Sequence, residues 1–63
     1  MRKQAIERGK LRDIVRVGTR LYDTEDKKTR TVSKISHAGG LFYMTDGTLE
    51  NADNIIKYYQ IVK

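Results

Sequence analysis

Apolar residues recur along this chain at two spacings, and the change from one to the other divides it. Over residues 2–16 the helical spacing fits. At 100° per residue Leu11, Ile14 and Val15 fall on one face, while Arg2, Arg8, Arg12 and Arg16 fall on a contiguous arc beside it. The pattern predicts a short, basic, amphipathic helix. Gly9 weakens that helix by about 1 kcal/mol, and Leu11, Asp13, Val15 and Val17 also fit strand alternation. Gly18 ends the segment in either conformation.

From residue 19 onward the period is two. Residues 19–22 predict a strand with Leu21 inward, and the charged residues 23–28 a solvated hairpin tip. Residues 29–36 are β-rich, but Val32 and Ile35 are three apart. A flat strand cannot turn both to one face, so a bulge or strong coil is expected between them. His37-Ala38-Gly39-Gly40 supplies a tight reversal into residues 41–45. Asp46-Gly47 then predicts a two-residue type I′ turn into residues 48–50. Asn51 or Asp53 is placed to cap a helical or 3₁₀ turn through Asn54, Ile55 and Ile56. Residues 58–62 return to β character. Alternation makes Val32, Ile35, Phe42, Met44, Leu49, Ile55 and Ile61 the expected core and turns Tyr43 to the opposite face.

Gly18-Thr19-Arg20-Leu21-Tyr22, Thr31-Val32-Ser33-Lys34-Ile35, Phe42-Tyr43-Met44-Thr45-Asp46-Gly47 and residues 55–62 together resemble the SH3-like small barrels, including the Tudor-like and KOW-like groups. A short turn of helix before the last strand is typical of that family. The resemblance covers about 45 of the 63 residues. It implies a mainly β (α+β) fold: a strongly curved antiparallel barrel of about five short strands, here preceded by the basic amphipathic helix. The organisation expected is a basic segment at residues 1–17 and a barrel at residues 18–63. In its brevity the chain is also similar in style to small bacteriophage accessory proteins.

Charge is the compositional fact that adds most. Residues 1–20 hold seven Lys/Arg against Glu7 and Asp13, a net of +5, whereas residues 21–63 balance six Lys/Arg against six acids. All of the excess positive charge lies in the first third, where it would attract a phosphate backbone or an acidic protein surface. With 63 residues, a single core near the lower limit of independent folding leaves little room for a deep small-molecule cavity. No cysteine is present, so neither a disulfide framework nor a thiolate metal site exists and a reducing compartment is suited. No apolar run reaches membrane-spanning length, and the first residues carry charge where a signal peptide would be apolar. A cytoplasmic protein without membrane association is expected.

The chemical inventory is thin. His37 is the only histidine and reads as a turn residue; no serine lies near a base in sequence, and Asp46, Glu50 and Asp53 are spaced for turns and caps. His37-Ala38-Gly39-Gly40-Leu41 lacks the Lys-Ser/Thr of a phosphate loop. No catalytic residue, metal ligand or cofactor is expected. The expected function is a non-enzymatic binding module that engages DNA or RNA phosphates with Arg8, Lys10, Arg12, Arg16 and Arg20 and stacks a base on Tyr43. The alternative is a protein-interaction module, such as a phage-encoded inhibitor or adaptor, that uses the same basic helix or an exposed strand edge against a host protein.

Overall fold

The computed structural model describes residues 2–63. Six antiparallel strands form one sheet, with two short helices. They are β1 (Lys3–Ala5), β2 (Arg20–Asp23), β3 (Lys28–Ile35), β4 (Leu41–Met44), β5 (Leu49–Asn51) and β6 (Tyr59–Val62), arranged β1-β6-β2-β3-β4-β5. The end strands β1 and β5 are not paired with each other, so the sheet is open. Its radius of gyration, 10.2 Å, is that of a compact chain of this length, for which about 10.6 Å is expected. No helix among the described residues is long and apolar enough to cross a membrane.

The expected bulge is present. Val32 pairs with Met44 and Lys34 with Tyr43, so Ser33 is the extra residue, and Ile35 comes to lie opposite the buried Phe42. One inserted residue thus lets two apolar side chains three apart serve the same core. The Asp46-Gly47 connection departs from expectation. Among the described residues, Gly47 has φ +90° but Asp46 does not enter the left-handed region, so the turn is not type I′. Gly47 N–H donates to Met44 O at 3.0 Å, Met44 N–H donates to Thr48 O at 2.8 Å, and Asp46 Oδ1 accepts from Thr48 N–H at 2.9 Å. This is a three-residue loop with a glycine bulge, and Asp-Gly suits it as well as the shorter turn, because only the glycine needs positive φ.

The segment between β1 and β2 also departs from expectation. Residues 2–16 do not form one helix: Lys3–Ala5 pair with β6, and helical backbone is confined to a 3₁₀ turn at Arg8–Lys10 and α1 at Leu11–Ile14. Strand pairing to β6 outweighs a helical propensity that Gly9 already weakens. The apolar face is used as the periodicity expects: Leu11 and Val15 are buried and Ile14 packs beside them. Residues 1–17 contribute Ile6, Leu11 and Val15 to the same core as Leu21, Val32, Phe42, Met44, Ile55, Tyr59 and Ile61. Leu49 is not in that core; it is 50 % exposed because it opposes the outward Tyr43. At α2 (Ala52–Tyr58) the expected cap holds, with Asn51 Oδ1 accepting from Asn54 N–H at 2.8 Å.

Candidate nucleic-acid interface

The pleat sorts strand residues onto two faces, and directly opposed antiparallel residues share one. Leu21, Asp23, Val32, Phe42, Met44, Tyr59 and Ile61 are buried on the inner face. The intervening residues face outward. Tyr22 opposes Thr29 on one side and Gln60 on the other, and Gln60 opposes Ala5; Arg20 opposes Thr31; Tyr43 opposes Lys34 and Leu49. Lys3 Nζ lies 4.2 Å from the centre of the Tyr22 ring and Lys34 Nζ 5.7 Å from that of Tyr43. Each aromatic ring on this face therefore has a cation over it.

The two acids located in strands are turned away from this face. Asp23 is buried and Glu50, opposite Phe42, accepts from the Tyr59 hydroxyl at 2.7 Å. What holds them inward is Arg30. Its guanidinium donates to Asp23 Oδ2 at 2.6 Å, Asp26 Oδ2 at 2.9 Å, Asp46 Oδ2 at 3.0 Å and Tyr59 Oη at 3.2 Å. Burial pushes the Asp23 carboxyl up, but the amides of Glu25 and Asp26 and the Arg30 guanidinium more than reverse this and leave it below the usual carboxylate range. The Thr48 side chain and amide, with Arg30, hold Asp46 at about 2. The hydrogen bond from Asp26 leads, ahead of Asp46 and Asp23, in strengthening protonation of Arg30. Burial, then the bond to Glu50, raises Tyr59. Three carboxylates are thus gathered around one cation, and the residues expected as a solvated hairpin tip include a buried one, Asp23.

The N-terminal cations expected to contact phosphate divide in two. Arg8 is paired with Asp53 at 2.7 Å and Lys10 with Glu7 at 3.5 Å, all four side chains being mostly exposed. Arg12 Nη2 donates to Ala38 O at 2.9 Å and its guanidinium lies over Gly39, where a side chain would meet Nε at 3.1 Å. Arg16 Nε donates to Asp13 O at 3.3 Å. Arg20 alone of this set stands on the outward sheet face, exposed and in no ion pair among the described residues. Tyr43 is there too, as alternation expects. Arg8, Lys10, Arg12 and Arg16 lie on the helical segment instead. Missed at sequence level were Lys3 and Tyr22, whose partnership depends on β1 joining β6.

Two shallow cavities of about 230 and 450 Å³ flank Arg12, the smaller lined by Val15, Ile35, Ser36, His37 and Phe42. No group of three or more metal-ligating side chains occurs among the described residues. No family model, curated protein or solved structure matches this chain.

Proposed function

We propose that this chain is a small, non-enzymatic, SH3-like barrel module that binds nucleic acid through the outward face of its sheet. The barrel is left open between β1 and β5 in this reading, with the Ser33 bulge supplying its coil. One observation carries the function: the face presents Lys3, Arg20 and Lys34 beside Tyr22 and Tyr43, while both strand carboxylates are turned inward. A surface with cations, aromatic rings and no strand acids complements a phosphate backbone and its bases. The N-terminal cations add long-range attraction. Arg8 and Lys10, already paired with acids, contribute less to direct contact than Arg20.

The experiment is a salt titration of binding to random-sequence DNA and RNA oligonucleotides, read by fluorescence anisotropy. Replacing Lys3, Arg20 and Lys34 together by Gln should flatten the dependence of log affinity on log salt by roughly 0.7–0.9 per lost contact. The melting temperature should hold, because none of the three is in an ion pair. Changing Arg8 and Lys10 to Gln should alter the slope less. A parent that binds neither nucleic acid at low salt, or a triple variant with an unchanged slope, would refute the proposal.

A further inference from the structure

Given the proposed nucleic-acid-binding face, we infer that its ligand is single-stranded, with unstacked bases laid on Tyr22 and Tyr43. A duplex offers phosphates outside and hides its base faces in the stack, so a protein reads it by placing an element in a groove. The element that could do so here is the basic helical segment. It is only the 3₁₀ turn Arg8–Lys10 and the four residues Leu11–Ile14, it is buried through Leu11, and its arginines are held by Asp53, Ala38 O and Asp13 O.

The sheet face offers the opposite chemistry. Around Tyr43 it exposes Leu41 (39 %) and Leu49 (50 %), with Lys34 as the neighbouring cation. Apolar and aromatic surface with a flanking cation is of no use to a phosphate-only ligand but matches a base with its own phosphate. Each lysine now over a ring would be displaced by the incoming base and freed to pair with the phosphate. Strand spacing and rise put Tyr22 and Tyr43 roughly 16 Å apart across β3, so a few nucleotides suffice to engage both.

The test compares oligothymidylate and oligouridylate of about twelve nucleotides, within the site sizes of small single-strand binders, with a duplex of equal length at fixed salt. Expected is single-strand affinity at least tenfold above duplex affinity, with the two sugars separating DNA from RNA preference. Tyr43→Leu, which keeps the outward position apolar, should weaken single-strand binding by about tenfold without changing the salt slope, and Tyr43→Phe should bind like the parent. Far-UV circular dichroism verifies that both fold. Duplex affinity equal to or above single-strand affinity, or Tyr43→Leu that binds like the parent, overturns this inference and leaves the nucleic-acid reading standing. Absence of binding to every probe at low salt overturns both.

Discussion

Arg30 sits at the junction of the β2–β3 turn, the β4–β5 turn and the start of β6, and its removal tests the account of the fold most sharply. Its side chain is 9 % exposed and that of Asp23, its shortest contact, 8 %. Taking away one partner of a buried pair costs about 3–5 kcal/mol, because the other is left as an uncompensated buried charge. Here Asp23 keeps two amide donors, Glu25 and Asp26. The contacts to Asp26 and Asp46 are about half exposed and add little. Arg30→Met should therefore cost about 2–4 kcal/mol. A chain of this length holds about 3–9 kcal/mol in all. The assay is urea unfolding followed by circular dichroism at neutral pH with a common slope. Adding Asp23→Asn to Arg30→Met removes the orphaned charge and keeps the oxygen that accepts from the two amides, so the double variant should regain about 1–2 kcal/mol. Acid supplies a second readout. Asp23 and Asp46 have depressed folded pKa values, so their stabilisation is complete above the ordinary carboxylate pKa of about 3.9 and is lost as pH falls toward about 2. The parent should lose stability through that window more steeply than Arg30→Met. A single variant within about 1 kcal/mol of the parent, or a double no more stable than the single, would refute the reasoning.

Two further outcomes are expected. Phe42→Ala, at a site 1 % exposed, should lose about 3–5 kcal/mol, whereas Leu49→Ala should lose less than about 1 kcal/mol; matched urea melts decide, and equal losses would invert the assigned strand facing. Gly47→Val should cost about 1–3 kcal/mol through backbone strain alone, since nothing lies within 4 Å of its missing Cβ. Gly47→Asn should cost clearly less, and equal thermal shifts for the two would exclude the left-handed conformation.

What could be read in advance was whatever depends on neighbours in sequence. The Val32–Ile35 spacing implied the Ser33 bulge, Asn51 implied its cap, and the alternation of Phe42, Tyr43 and Met44 placed Tyr43 outward. The inward Leu21 and buried Ile55 and Ile61 follow from the same logic. Residues whose role depends on distant partners were illegible. Lys3-Gln4-Ala5 has no apolar pattern to mark a strand, and only the hydrogen-bonding edge of β6 makes it one. Arg30 meets Asp23, Asp26 and Asp46 from separate elements, so charge counting registers neutrality and not a cluster. Leu49 was misjudged because its hydrophobicity suggested burial, while its register opposite Tyr43 dictates the reverse. For the same reason the basic arc, a sound pattern on paper, is partly consumed by Asp53, Glu7 and two backbone carbonyls.

The strand order has a consequence for how the chain is made. β6, the last strand to leave the ribosome, is internal, clasped between β2 and the earliest strand, β1. Arg2 and Lys63 exchange backbone hydrogen bonds of 3.2 and 2.7 Å, so the longest loop in the molecule is also one that must close. Until β6 is made, β2 presents a bare edge and the core lacks Tyr59 and Ile61. At 5–20 residues per second, roughly 3–13 s of synthesis pass with that edge uncovered. A nascent chain of this kind cannot fold piecemeal from its N-terminus. It must be held in solution by its own N-terminal charge until the final strand arrives and zips both ends at once.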